Sequence, residues 1–108
     1  MPNIPHLQRF VAVAEELNFR KAAARLHISQ PPLSLSIRQL EDELGTQLFR
    51  RTRQSVELTA PGLAFLERAR LILSQLSEAV DVTRAVSQGK LGHIVVGFNP
   101  TSSYDVLP

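Results

Sequence analysis

The sequence predicts a mainly α-helical chain: a winged helix-turn-helix of three helices and a two-stranded wing, followed by one long helix. Three observations carry this expectation. The run from Phe19 to Ser34 reads as a short alanine-rich helix, a tight connection and a second helix opened by the pair Pro31-Pro32, which is the pattern of a helix-turn-helix. Two strand-forming stretches, Leu48-Phe49 and Val56-Glu57-Leu58, enclose the basic segment Arg50 to Ser55 as a wing. A 3-4-3-4-3 spacing of Leu66, Ala69, Leu73, Leu76, Val80 and Thr83 then marks a heptad seam on a single helix.

The first helix follows Pro5. Leu7, Phe10, Val11, Ala14 and Leu17 share one helical face, and Asn18 reads as its stop. The second helix is expected over Lys21 to Leu26, where Ala22, Ala23 and Ala24 suit close helix packing. Arg20 then stands where a capping hydroxyl or carboxylate is usual, so that end reads as poorly capped. The third helix is expected from Pro32 to Leu44 with Gly45 as its terminator, burying Leu33, Ile37, Leu40 and Leu44. Its opposite side carries Pro31, Leu35, Arg38, Gln39 and Asp42. A fourth helix starts after Thr59, a good N-cap residue, and runs to about Gln88 with Gly89 as its stop, roughly 43 Å at ~1.5 Å per residue. Ile72, Ala79 and Val86 widen its apolar stripe. That stripe either packs on its own domain or pairs with a second chain, and a winged domain of this size is too small to cover it all. From Lys90 to Phe98 the chain reads as a buried-type strand with no sheet to join, so a second domain is expected to begin there. The expected organisation is therefore residues 1–58 as the winged unit, 59–89 as a linker and dimerisation helix, and 90–108 as a hinge and first strand of an effector-binding domain.

Composition narrows the function. The chain has 108 residues with 44% hydrophobic content, enough for a core, and a formal net charge of only +2. The placement of charge says more than its sum. Arg20, Lys21, Arg25, Arg38, Arg50, Arg51 and Arg53 face only the adjacent Glu41, Asp42 and Glu43 between positions 20 and 53. Arginine predominates, and its planar fork suits phosphate and guanine. There is no cysteine, so disulfides and thiolate metal sites are excluded. Neither a signal peptide nor an apolar run long enough to span a bilayer is present in the sequence, so a cytoplasmic location is expected and no membrane partner. His6, His27 and His93 have no metal-ligand spacing, the three consecutive acids point in different directions, and no glycine-rich phosphate loop occurs. The expectation is a protein that is not an enzyme and takes no cofactor or metal. A helix-turn-helix of this kind lays one helix in the DNA major groove.

The residues resemble the N-terminal part of the LysR-type transcriptional regulators. The resemblance rests on Phe10 to Glu15, Phe19 with Ala22-Ala23, Leu26 to Ser34, Ile37 to Glu41, Glu43-Leu44-Gly45, Leu48-Phe49, Arg51-Thr52, Leu58-Thr59, Gly62 and Ala69-Arg70, and it covers nearly the whole chain. Gly92, Val96 and Gly97 resemble the start of the family's inducer-binding domain. The family implies a promoter dyad of double-stranded DNA as the partner, a homodimer through antiparallel linker helices, and tetramers in full-length members. It also implies a small-molecule inducer bound only by the C-terminal domain and RNA polymerase as a partner of the full-length protein. The seam residues Leu66, Ala69, Leu73, Leu76, Val80 and Thr83 would form the dimer.

Carried onto this sequence, the family's DNA-contacting positions include Gln30, whose amide can pair with adenine. Pro31 and Pro32 present apolar edges, and Ser34 can reach a phosphate or a base edge. Leu35 and Ser36 depart from the family, which usually carries Arg then Gln here. Leu35 is expected to meet a thymine methyl or to pack on sugar. Arg38 should meet phosphate, and Arg53 and Gln54 are tip candidates for the minor groove. Arg51 either joins them or pairs with an acidic neighbour within the fold. The Thr101 to Ser103 loop belongs to the family's inducer region. A rival reading is a winged helix used for protein interaction, against which the basic Arg50–Arg53 segment and the polar surface around Gln30 and Arg38 argue.

Overall fold

The computed structural model describes residues 1–89. The strand expected over Lys90 to Phe98, the Thr101 to Ser103 loop and the hinge assigned to 90–108 lie outside the described residues. The order is α1 (Ile4–Glu16), α2 (Phe19–Leu26), α3 (Gln30–Leu44), β1 (Phe49–Arg51), β2 (Val56–Leu58) and α4 (Ala60–Ser87). Met1–Leu73 form one compact unit, and the described residues from Ser74 belong to a second.

α1 begins one residue before the expected proline. The Asn3 side chain accepts from the His6 amide at 2.9 Å, and Asn3 N–H points back at His6 Nδ1 at 3.4 Å, a reciprocal cap. The helix does not stop at Asn18. Leu17 closes it in a left-handed conformation (φ 50°), donating to the Val13 carbonyl. Asn18 instead caps α2, its side-chain oxygen Oδ1 accepting from Lys21 N–H at 2.8 Å. So α2 starts at Phe19 and is well capped, and Arg20 is its second residue rather than a failed cap. Asparagine serves equally as N-cap and as left-handed terminator, so the sequence alone could not assign it.

α3 opens at Gln30, two residues earlier than expected, with Pro31 and Pro32 inside the first turn, where amides have no helical acceptor anyway. Gly45 ends it in the left-handed region, its amide donating to Glu41 and Asp42 carbonyls. Leu33, Ile37 and Leu40 are buried as expected; Leu44 is not, being 37% exposed at the helix end. Ser36 takes a buried place instead, because Arg9 of α1 donates to its hydroxyl.

The core of the first unit is organised around Phe10. Its ring lies 5.3 Å from Phe49 of the wing and 5.1 Å from Phe65 of α4, with Leu33, Ile37, Leu40 and Leu48 fully buried around it. Phe10 through Ala14 are all buried, so α1 is enclosed on more than the single face its periodicity indicated. Leu66 and Ala69 of α4 belong to this core. They hold the start of α4 to its own domain. In the second unit, Leu76, Val80 and Thr83 are exposed.

Candidate nucleic-acid interface

A two-stranded hairpin is marginal on its own, so the position of the wing depends on what ties it down. β1 and β2 pair antiparallel with Phe49 opposite Leu58, Arg50 opposite Glu57 and Arg51 opposite Val56. Glu41 of α3 anchors the strand entrance: one carboxylate oxygen accepts from Leu48 N–H at 2.9 Å and Phe49 N–H at 3.2 Å, and the other faces Arg51 at 3.3 Å. From the far side, Thr59 N–H donates to the Leu48 carbonyl at 3.0 Å, and the Thr59 hydroxyl donates to the Gln47 carbonyl at 2.7 Å. The same hydroxyl oxygen caps α4 by accepting from Gly62 N–H. The tip is a closed turn in which Thr52 and Ser55 bond through backbone and side chains. Glu41 thus ties α3 to the wing, alongside the packing of Leu48 and Phe49 in the shared core.

Gln30, Arg53 and Gln54 line one cleft of about 380 Å³ between the start of α3, the start of α2 and the wing tip. Asn18 and Arg20 line it too. Sequence reasoning did not place Arg20 among the interface candidates, and the signal available was its basic charge beside a helix start. Arg38 and Arg51 line a second cleft with Glu41 and Asp42. Pro31, Pro32 and Leu35 are exposed on α3, and Ser34 is half-buried beside them. Arg51 is engaged internally, paired with Glu41 and with its guanidinium 5.0 Å from the Phe19 ring centre, so the ion-pair alternative for it is realised. Arg50 faces Glu57 at 3.5 Å with both side chains well exposed, a pair that solvent weakens. Arg20, Arg38 and Arg53 form no ion pair among the described residues. Three unneutralised arginines on this surface suit a polyanion.

Away from this surface, Glu15 of α1 accepts from Arg25 of α2 at 2.7 Å and from Arg70 of α4 at 3.0 Å. The Arg25 hydrogen bond is the main cause holding the Glu15 carboxyl below its ordinary value; burial opposes it, and the Arg70 hydrogen bond adds to the lowering. These arginines stabilise the domain rather than face the clefts. Among the described residues no group of three His, Cys, Asp or Glu side chains is placed to hold a metal ion, and no helix is long and apolar enough to cross a membrane.

Residues 4–63 match the bacterial regulatory helix-turn-helix proteins of the lysR family. The chain belongs to the LysR family. Among its LysR relatives, the HTH-type transcriptional regulator AlsR of Bacillus subtilis (strain 168) is 48% identical over 103 residues, 95% of this chain and 34% of that protein. The HTH-type transcriptional regulator TfdS of Cupriavidus pinatubonensis (strain JMP 134 / LMG 1197) is 47% identical over 102 residues, 94% of this chain and 35% of that protein. The chain thus spans about a third of the length of these curated relatives. The crystal structure of a CbnR DNA-binding domain in complex with DNA has a TM-score of 0.76 at 44% identity, covering 80% of this chain and 99% of that one. The complex of the BenM DNA-binding domain with catB site 1 DNA gives 0.78 at 43% identity, covering 80% and 97%. The winged helix-turn-helix expected from the sequence is the LysR fold found here.

Proposed function

We propose that this chain is the DNA-binding part of a bacterial LysR-type transcriptional regulator that reads an imperfect promoter dyad as a dimer. The observation that carries the proposal is the cleft where Gln30 at the start of α3 meets Arg53 and Gln54 of the wing, together with exposed Pro31, Leu35 and Arg38 and half-buried Ser34 on α3; Arg38 and Arg53 are free of carboxylate partners among the described residues. α3 enters the major groove by its N-terminal half, and the wing tip reaches the minor groove. Arg38 supplies phosphate contacts that set affinity, Arg53 with Gln54 at the wing tip enters the minor groove, and Gln30 and Leu35 face base edges that set sequence. The relatives with solved DNA complexes support this assignment.

The dimer forms through the exposed seam residues Leu76, Val80 and Thr83 with the half-buried Leu73 at their edge, and with the α4 helices of two chains antiparallel. The organisation follows: residues 1–58 read DNA, 59–89 link and dimerise, and 90–108 lead into a domain that binds a small-molecule inducer. Full-length tetramers in the cytoplasm, acting on RNA polymerase, complete the reading. The role is binding rather than catalysis. Fluorescence anisotropy against a duplex enriched by this chain from a randomised pool, and against a scrambled duplex, tests it. Tight binding to the enriched duplex alone supports the reading; equal weak binding to both contradicts sequence-specific recognition by this chain.

A further inference from the structure

The face of α3 that points away from the core holds one large exposed apolar side chain, Leu35, outside the core cluster. Leu33, Ile37 and Leu40 are fully buried. At about 100° per residue, the direction opposite them falls between Arg38 and Leu35. Leu35 is 52% exposed there, and Pro31, one turn earlier on the same face, is exposed as well. A leucine on an arbitrary surface carries no meaning. This one sits at the centre of the surface assigned above to the major groove. The exposed acids Asp42 and Glu43 at the other end of α3 repel phosphate, which leaves the half containing Leu35 to approach the duplex.

The side chain chemistry then selects the target. Leucine neither donates nor accepts a hydrogen bond. Set against guanine, cytosine or adenine in the major groove, it strips water from their polar groups and offers nothing in return. The only apolar group on a major-groove edge is the C5-methyl of thymine. Resting on the DNA-reading function proposed above, we infer that Leu35 is a specificity-determining residue that reads the C5-methyl of one thymine in each half-site.

The experiment removes that methyl and nothing else. In the duplex enriched by this 108-residue chain from a randomised pool, each thymidine is replaced singly by deoxyuridine, which keeps the hydrogen-bonding pattern. Affinities are measured for the chain and for Leu35→Ala, whose helicity is checked by circular dichroism. Burial of one methyl predicts that deoxyuridine at one position per half-site weakens binding about fourfold. In Leu35→Ala the same replacement is expected to have no effect. A flat deoxyuridine scan in the unmodified chain overturns the inference while leaving DNA reading intact. A methyl effect that persists in Leu35→Ala also overturns it, since another side chain then does the reading. A pool that yields no enriched sequence overturns sequence-specific reading itself, and the inference with it.

Discussion

Gly62 is where α4 meets the wing, and replacing it with alanine should destabilise the domain although alanine favours helices. Gly62 is buried in the first turn of α4. A Cβ there would overlap the Leu48 carbonyl oxygen and come within 3.0 Å of both the Leu48 carbonyl carbon and Leu58 Cδ2. The obstacle is backbone, and that backbone is already committed: the Leu48 carbonyl accepts from Thr59, and the Leu48 amide donates to Glu41. Alanine in place of glycine gains at most about 1 kcal/mol of helix propensity. Against this stand an overpacking cost of about 1–3 kcal/mol and about 1 kcal/mol for a strained or lost Leu48–Thr59 hydrogen bond. The net loss is about 2 kcal/mol, which for a domain of this size lowers Tm by roughly 10 °C. Thermal unfolding followed by circular dichroism measures it. Gly45→Ala is an informative comparison, because nothing lies within 4 Å of its Cβ position while φ is +71°. Its loss of about 1 kcal/mol comes from left-handed backbone alone. A Gly62→Ala variant as stable as the parent chain would refute the close approach of α4 to Leu48.

Other substitutions probe the rest of the account. Glu41→Ala removes the acceptor for two wing amides and the partner of Arg51; it should cost about 2 kcal/mol by denaturant unfolding and weaken duplex binding as the wing loses its anchor. Glu15 is held below its ordinary carboxyl value of 4.5, so its contribution is complete above that value and is lost as pH falls through the lower folded value. Stability curves of the parent chain and Glu15→Gln should therefore differ by about 1 kcal/mol at neutral pH, as expected for a partly exposed network, and converge as pH falls below the lowered folded value. A gap unchanged at low pH would contradict the ionic origin of the effect. The double substitution Leu76→Asp with Val80→Asp alters side chains that are exposed in the single chain. Helicity should survive, while sedimentation should show monomers in place of dimers.

How much was legible in the sequence depended on whether a residue's signal was local. Thr59, Gly45 and Gly89 mark helix ends by chemistry that admits few alternatives, and those ends lie within about one residue of expectation. The α1–α2 boundary was misread because Leu17, a bulky residue with φ 50°, occupies the left-handed position that Asn18 would suit better. Heptad spacing runs through Leu66, Ala69, Leu73 and Leu76 without interruption, yet burial changes along it, since periodicity does not register where a domain's own core stops. Of the interface, the exposed face of α3 followed directly from helical periodicity. The part Arg51 plays, tied to Glu41 and Phe19, depends on three elements meeting in space. The Arg9–Ser36 bond likewise joins two helices and explains a buried serine that the apolar pattern could not foresee.

The central claim, that α3 and the wing grip DNA by phosphate and base contacts, is tested most directly by the salt dependence of duplex binding for the parent chain, Arg38→Ala and Arg53→Ala. Two chains each contributing these two arginines predict a slope of log affinity on log salt of about −4 or steeper. Each substitution removes a contact from both chains and should lower its magnitude by about 2, and Arg38→Ala should leave the preferred sequence unchanged. A slope near zero, or slopes unaltered by both substitutions, would contradict the assigned DNA-binding surface.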